Sequence, residues 1–132
     1  MNILAIDPGS TSTKIGVLHG GCTVKACIEH PRQEIELFAA VIDQFAYRLA
    51  CIDRYLSGHG FSALRFDAVV GRGGLVRPVE GGVYLVNDAL DRDLRAGVSG
   101  EHAANLGGIL ARRATAHRLT SSTRRCWTSS GR

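Results

Sequence analysis

The amino-acid sequence predicts an α/β fold, and two patterns support that prediction. The first 30 residues hold three short apolar or alternating runs separated by turn residues, which indicates a meander of three strands. After Pro31, apolar residues recur at three- and four-residue steps from Ile35 to Leu56, as they do in an amphipathic helix. A chain of 132 residues that is 45% hydrophobic and 21% charged is typical of a globular domain that can bury a core.

The three strands are bounded by recognisable turns. The run NILAID, residues 2–7, is followed by Pro-Gly, which indicates a buried strand stopped by a turn. A second strand over Lys14–Leu18 leads into a Gly20-Gly21 hairpin turn, and CTVKACIEH, residues 22–30, forms the third strand. The long helix is expected to end near Gly58, because glycine favours a helix stop.

Strand and helix signals continue downstream. FDAVVGRGG, residues 66–74, predicts a strand that runs into a glycine loop, and a short strand follows over Val83–Val86. Asn87 is a suitable cap for a helix that runs toward Gly97. Ser99 is placed to start a further helix, in which three apolar residues fall on one face: Ala103, Leu106 and Leu110.

Charge divides the chain into two parts. Residues 1–111 hold 10 basic and 12 acidic residues, a net charge of −2, whereas residues 112–132 hold six arginines and no acid. We therefore predict a folded part at 1–111 and a basic, Ser/Thr/Arg-rich, disordered tail at 112–132. A basic tail can bind RNA or DNA, but its only aromatic residue is Trp127 and the folded part offers no basic face. No nucleic-acid partner is expected.

Targeting signals and cysteine motifs exclude other classes. No apolar run reaches the ~18 residues of a membrane helix, and the N-terminus lacks a basic lead, so we expect a cytoplasmic protein with no membrane partner. The four cysteines form no C-x-x-C pair. Buried, inert thiols are therefore expected instead of zinc ligands or disulfides at Cys22, Cys27, Cys51 and Cys126.

The segment 7–14 has the composition of a phosphate-binding loop. Its glycine allows close backbone approach, its hydroxyls can donate hydrogen bonds, and its lysine adds a positive charge. Asp7, at the end of the first strand, could hold Mg²⁺ directly or through water. An ordinary Ser/Thr-rich hairpin turn explains the same residues equally well. The candidate ligand-binding residues are Gly9, Ser10, Thr11, Ser12 and Lys14.

Two further residues are candidates for chemistry. Arg72 is surrounded by glycines, including Gly73, and could bind a carboxylate or a phosphoryl group, although a solvated arginine in a flexible turn has the same pattern. His102 falls in the first turn of a predicted helix, where the helix dipole favours the neutral ring. A surface histidine near a helix start is the alternative.

Three segments resemble, in order and spacing, the butyrate kinase branch of the acetate and propionate kinase superfamily: LAIDPGSTSTKIGV, FDAVVGRGGLVRPVEGGVYLVND and GVSGEHAANLGGILA. The resemblance implies the N-terminal part of an actin-like (ribonuclease H-like) ATPase domain, with a mixed sheet and flanking helices. It implies reversible transfer of the γ-phosphoryl group of ATP, with Mg²⁺, to butanoate or a branched short-chain acid. The complete enzyme would be a homo-oligomer.

The resemblance also implies roles for individual residues. Ser10, Ser12 and Lys14 would lie in the first phosphate loop, and Arg72 and His102 near the transferring phosphoryl group and the substrate carboxylate. Gly9, Thr11 and Gly73 would contribute to ATP binding. The family usually has Asn at the position of Asp7, whereas the wider actin-like fold has Asp. An actin-like ATPase or activator without a carboxylate substrate is therefore the alternative function.

The resemblance covers residues 1–111, less than half of a complete member, so this chain alone is expected to be inactive. Residues 112–132 do not resemble the family's continuation. Back-translation with GC-rich codons, read two bases along, gives DRAPAYIVDPPVLDELG, which does resemble it. We therefore expect the tail to be out-of-frame translation. We also expect apolar surface to be exposed on the helix over Ala103–Arg113, with poor solubility.

Overall fold

A six-stranded mixed sheet forms the centre of the fold in a computed structural model, which describes residues 1–118 and 126–130. Strand β2 lies antiparallel between β1 and β3, β4 is parallel to both β1 and β6, and β5 lies antiparallel to β6 at one edge. The sheet order is β3-β2-β1-β4-β6-β5. The strands are β1 (Ile3–Pro8), β2 (Ser12–His19), β3 (Cys22–Glu29), β4 (Ala68–Arg72), β5 (Gly82–Leu85) and β6 (Cys126–Ser130). The predicted α/β class and the three-stranded meander are confirmed.

Helices cover one face of this sheet. They are α1 (Arg32–Ile35), α2 (Phe45–Gly58), α3 (Asp88–Ala96) and α4 (Leu106–Arg118), with 3₁₀ turns at Val41–Gln44 and Ala103–Asn105. The alternating inward residues of β1, β2 and β4 pack against α2 and α4, because period-two alternation sends one set of side chains to each face. The fully buried centre comprises Leu4, Ile6, Val17, Ile52, Leu56, Phe66, Val69 and Leu110. Within the described ranges, no helix combines the length and apolarity that a bilayer span requires.

The single long helix predicted after Pro31 is wrong. The chain forms two helices, α1 and α2, and is extended at Ala40 (φ −128°, ψ 156°). Two carboxylates take the backbone donors that a continuous helix would use internally. The Ala40 N–H donates to Asp43 (3.0 Å), and the Val41 N–H donates to Glu101 (2.6 Å). Because each of these N–H groups has a carboxylate acceptor, the helix can break here without leaving a buried donor unpaired, despite the helical spacing of the apolar residues.

The predicted caps of α3 are confirmed, whereas the predicted start of α4 is wrong. The Asn87 side chain accepts from the Leu90 N–H, and Gly97 ends α3 with a left-handed φ of 64°. The start of the next helical segment is capped by His102, three residues beyond Ser99. The Nδ1 atom of His102 accepts from the Ala104 N–H at 3.0 Å. The His102 imidazole therefore caps this segment in place of the Ser99 hydroxyl.

The structure departs from the predicted disorder of residues 112–132. Helix α4 continues through residue 111 to Arg118, and residues 126–130 form β6 between β4 and β5. The predictions for residues 119–125 and 131–132 lie outside the described residues. The expected exposed face on α4 is also wrong, because packing against the sheet, α2 and α3 leaves Leu106, Ile109 and Leu110 no more than 1% exposed.

Buried thiols were expected, and the structure differs at β3. Cys22 and Cys27 are exposed because β3 is the edge strand of the sheet, and Cys51 is half-buried on α2. The prediction for the Cys126 thiol lies outside the described side chains.

Candidate functional site

Sheet register brings three of the predicted site residues onto one face. Asp7 and Lys14 are direct partners in the β1–β2 pairing, so their side chains project to the same side. Arg72 follows Gly71, which is the partner of Ile6, and this places Arg72 beside Asp7. An Nη1 of Arg72 donates to the Asp7 carboxylate at 3.1 Å. The Arg72 side chain is 74% exposed, so it remains accessible to a ligand.

These residues line an open groove of about 500 Å³ on the sheet face opposite the core. Lys25, from β3, adds a third cation to Lys14 and Arg72; the nearby carboxylates are Asp7, in the lining, and Glu29, which accepts from the lining residue Cys27 at 3.3 Å. The lining includes three small residues, which leave room above the backbone: Ala5, Gly16 and Ala26. An excess of positive charge in an open groove favours a bound anion.

The loop between β1 and β2 lies at the end of this groove. It is closed by a hydrogen bond from the Gly9 N–H to the Ser12 carbonyl at 2.7 Å. Ser10 and Thr11 are exposed. A methyl group at Gly9 would meet the Ser12 oxygens at 3.4–3.5 Å, which is ordinary contact, so the fold itself does not demand glycine there. The small residue at this position keeps the loop open to an approaching ligand.

His102 lies on a loop that neighbours the end of β4. The 3₁₀ turn that His102 caps packs against Gly73, whose φ of +81° requires glycine and where a Cβ would come within 3.0 Å of the Ala104 Cβ. Because Nδ1 accepts a backbone N–H, the proton of the neutral His102 ring resides on Nε2. His102 makes no hydrogen bond with Asp7, Lys14 or Arg72 in the described structure, so the fold brings it near the cluster but not into it.

A glycine pair holds α4 against β4. A Cβ at Gly71 would lie 2.0 Å from the Gly107 carbonyl oxygen, and a Cβ at Gly107 would lie 2.4 Å from the Arg72 carbonyl oxygen. Both positions therefore need glycine, and their backbones meet directly. This contact places the start of α4, and with it the His102 loop, beside the strand that ends at Arg72.

Asn105, which the sequence pattern does not single out, joins the two loops. Its side chain is 3% exposed, its Oδ1 accepts from the Leu75 N–H at 2.7 Å, and its Nδ2 donates to the Gly100 carbonyl at 2.9 Å. The sequence contains one indication that Asn105 is buried: it lies between Ala103 and Leu106, which are predicted to share the apolar face of a helix. A buried amide with both ends paired connects the loop after Arg72 to the loop before His102.

Arg48 is likewise not singled out by the sequence pattern. It lies on α2 in the apolar stripe that runs through Phe45 and Ile52, is 0% exposed, and reaches the loop between β1 and β2. A charged residue at core spacing is the signal that the sequence contains.

The geometry fits a phosphate-bound Mg²⁺ better than a cation held by protein alone. The described residues contain no cluster of three His, Cys, Asp or Glu side chains. Asp7 offers a half-exposed carboxylate, one oxygen of which accepts from Arg72 and leaves the other available. Mg²⁺ commonly binds through one or two carboxylates, water and substrate phosphates, and Asp7 beside a donor-rich loop matches that arrangement.

The structure has the α/β fold class that the sequence predicted, with a mixed sheet and flanking helices. Solved structures that share the fold include two kinases. A propionate kinase from Francisella tularensis subsp. tularensis SCHU S4 aligns over 97% of this chain and 36% of its own length, at 13% identity and a TM-score of 0.50. The acetate kinase from Entamoeba histolytica aligns over 98% of this chain and 34% of its own length, at 14% identity and a TM-score of 0.52.

The chain spans about one third of the length of these kinases. At 13–14% identity the likeness is one of fold. No protein-family profile matches the sequence.

Proposed function

We propose that this chain is the phosphate-binding part of a short-chain carboxylate kinase of the butyrate kinase type. The observation that carries the proposal is the cluster of Asp7, Lys14 and Arg72, on one sheet face, beside an exposed Ser/Thr loop. The fold shared with acetate and propionate kinases supports the same reaction class.

In the proposed reaction, a carboxylate oxygen of butanoate or a branched short-chain acid attacks the γ-phosphorus of ATP in line. The bond from that phosphorus to the bridging oxygen breaks, and ADP leaves. Such a transfer needs positioning and charge neutralisation more than a protein nucleophile. Ser10, Ser12 and Lys14 would hold phosphate oxygens, with Gly9 and Thr11 completing the loop.

The transferring group would lie on the Arg72 side of this loop. Arg72 would neutralise developing charge on the phosphoryl group or orient the substrate carboxylate, with Gly73 leaving room beside it. His102 would donate a hydrogen bond from Nε2 to the transferring phosphoryl group or to the substrate carboxylate. Asp7 would hold Mg²⁺, and the bound ion would supply further neutralisation of phosphate charge.

Phosphate binding is testable on this chain. Inorganic tripolyphosphate, titrated into the ¹⁵N-labelled protein, should shift the amide resonances of residues 9–14 and 72–73. Shifts confined to other parts of the chain would contradict the proposed site. Acyl-hydroxamate assays of this chain alone should give no turnover, because half a cleft cannot close around ATP. Turnover would contradict the proposed inactivity.

The frameshift hypothesis rests on the sequence resemblance and not on the structure, in which residues 112–118 continue α4 and residues 126–130 form β6. It is tested by sequencing the gene from codon 105 past its stop. We expect one inserted or lost base whose correction restores a frame that encodes IVDP and a long continuation. The repaired protein, a cytoplasmic homo-oligomer in this proposal, should phosphorylate butanoate. An intact frame with no kinase sequence downstream would contradict the hypothesis.

An actin-like ATPase or activator without a carboxylate substrate is the second candidate, and Asp7 favours it. Replacing Arg72 in the repaired protein separates the two functions. Loss of carboxylate-dependent transfer with ATP hydrolysis retained supports the carboxylate kinase. An unchanged ATPase that never depended on a carboxylate supports the alternative.

A further inference from the structure

Arg48 is a buried cation whose contacts are directed at a loop. The Nη1 atom donates to the Ser12 carbonyl (3.0 Å) and the Thr13 hydroxyl (3.1 Å), and Nη2 donates to the Ser10 carbonyl (3.3 Å). Nε and Nη2 also donate to the Gln44 side-chain oxygen at 3.0 and 2.9 Å. Five hydrogen bonds match the five N–H groups of a guanidinium.

The charge of Arg48 is not neutralised locally. Among residues 1–118 and 126–130, no carboxylate forms an ion pair with it. Burial lowers the pKa of the guanidinium, yet arginine remains protonated in proteins. A buried, unpaired cation is costly, and a simple core position would be filled more favourably by an apolar residue.

The contacts of Arg48 determine which groups the loop presents to solvent. Because a trans peptide unit directs its C=O and N–H oppositely, a Ser10 carbonyl turned inward to Arg48 turns the Thr11 N–H outward. The Thr11 carbonyl is also occupied, by the His30 N–H at 2.8 Å, and the Ser12 carbonyl by Arg48 and the Gly9 N–H. The acceptors of residues 10–12 are therefore used inside the protein, which leaves hydroxyl and amide donors on the outer surface.

We propose that Arg48 is the positioning residue of the phosphate loop: it holds the loop carbonyls inward and places a buried positive charge behind the bound phosphate. This inference rests on the proposed function. The bound group contacts the loop donors, and Arg48 acts through the loop without touching it.

The test compares Arg48→Met with Arg54→Met in the 132-residue chain. Arg54 lies on the same helix and is exposed, so its removal lowers the net charge equally without affecting the loop. We expect Arg48→Met to raise the Kd for inorganic tripolyphosphate about tenfold or more, and Arg54→Met to change it by less than about twofold. Hydrogen exchange of the amides of residues 9–13 should accelerate in Arg48→Met alone.

Arg48→Lys provides a second variant that keeps the charge, in case Arg48→Met fails to fold. A lysine cannot reach both carbonyls and Gln44 with a planar fork, so the exchange of the loop amides should accelerate and tripolyphosphate binding should weaken. If Arg48→Lys behaves like the unmodified chain in both measurements, the positioning role is overturned.

Amide exchange of the loop tests the positioning role of Arg48, and tripolyphosphate binding tests the proposed phosphate function. Unchanged loop exchange in the Arg48 variants overturns the positioning role, whether or not tripolyphosphate binds. Altered exchange in a chain whose unmodified form does not bind tripolyphosphate supports the positioning role and overturns the proposed phosphate function.

Discussion

The Thr13 hydroxyl lies 2.7 Å from Nε2 of His30, and both residues are buried behind the loop between β1 and β2. That hydroxyl also accepts from Arg48, and it has the capacity both to donate its own proton to Nε2 and to accept a second hydrogen bond from it. Nδ1 has no hydrogen-bond partner in the described part of the chain. Burial, followed by the charge of Arg48, lowers the pKa of His30 below its ordinary 6.5, although Glu29 and Glu34 oppose the shift.

The lowered pKa of His30 predicts that the protein loses stability in mild acid. Below about pH 6.5 the unfolded chain binds a proton at this residue that the folded chain does not. The free energy of unfolding should therefore fall as pH decreases from about 6.5 to the folded-state pKa of His30. Urea unfolding between pH 5 and 8 measures this slope. His30→Gln should reduce it, and an identical slope in this variant would contradict the assignment.

Contact between Gly71 and Gly107 predicts that neither position tolerates a methyl group. Gly71→Ala should destabilise the protein by about 3 kcal/mol or more, because the added Cβ meets backbone atoms that cannot rotate away. Gly58→Ala is the matched control, since nothing lies within 4 Å of a Cβ built at Gly58. That change should be neutral, or stabilising by about 0.4–1 kcal/mol. Equal unfolding midpoints for the two variants in urea would refute the prediction.

Asn105→Ala should loosen the loop that follows Arg72. It leaves the Leu75 N–H and the Gly100 carbonyl without their side-chain partner, at a cost of about 1–3 kcal/mol. Asn87→Ala, which removes the cap of α3, should cost a comparable 0.5–2 kcal/mol or so. Amide exchange at Leu75 distinguishes the two variants, because only Asn105→Ala should accelerate it relative to global unfolding. Acceleration by both would indicate a general loss of stability.

Arg72→Gln should affect anion binding without affecting folding. Its ion pair with Asp7 is largely exposed, and exposed pairs contribute at most about 1 kcal/mol to stability. Loss of the guanidinium should raise the Kd for tripolyphosphate about tenfold. Arg77→Gln removes a similarly exposed arginine, paired with Asp93 away from the groove, and should leave the Kd unchanged. Equal effects on the Kd would show that the anion responds only to net charge.

The sequence predicted elements whose signals are local. Alternation and the Gly20-Gly21 turn indicated the β2–β3 hairpin, and Asn87 and Gly97 marked the ends of α3 correctly. The break before α2 could not be found this way, because one of the carboxylates that stabilises it, Glu101, lies 60 residues along the chain.

Parts of the candidate site were similarly predictable. Asp7, Lys14 and Arg72 were selected for their chemistry, and the sheet register brings them together. The close approach of Gly71 and Gly107 depends on how α4 docks on β4, which no local pattern encodes. Arg48 carries a signal in the sequence, a charge within an apolar stripe, but the spacing of that stripe indicates a core face and does not show which loop the charge contacts.

The place of β5 in the sheet has a consequence for synthesis. Among the described strands, β5 pairs with β6 alone, and the partner of Leu85 is Trp127, 42 residues later in the chain. At roughly 5–20 residues per second, a ribosome needs about 2–8 s to make that interval. During that time Val83 and Leu85 leave the exit tunnel in a segment with no neighbouring strand to join. A nascent chain stalled in this window would present the unpaired backbone N–H and C=O groups of β5, which are a template for pairing with a strand of another chain.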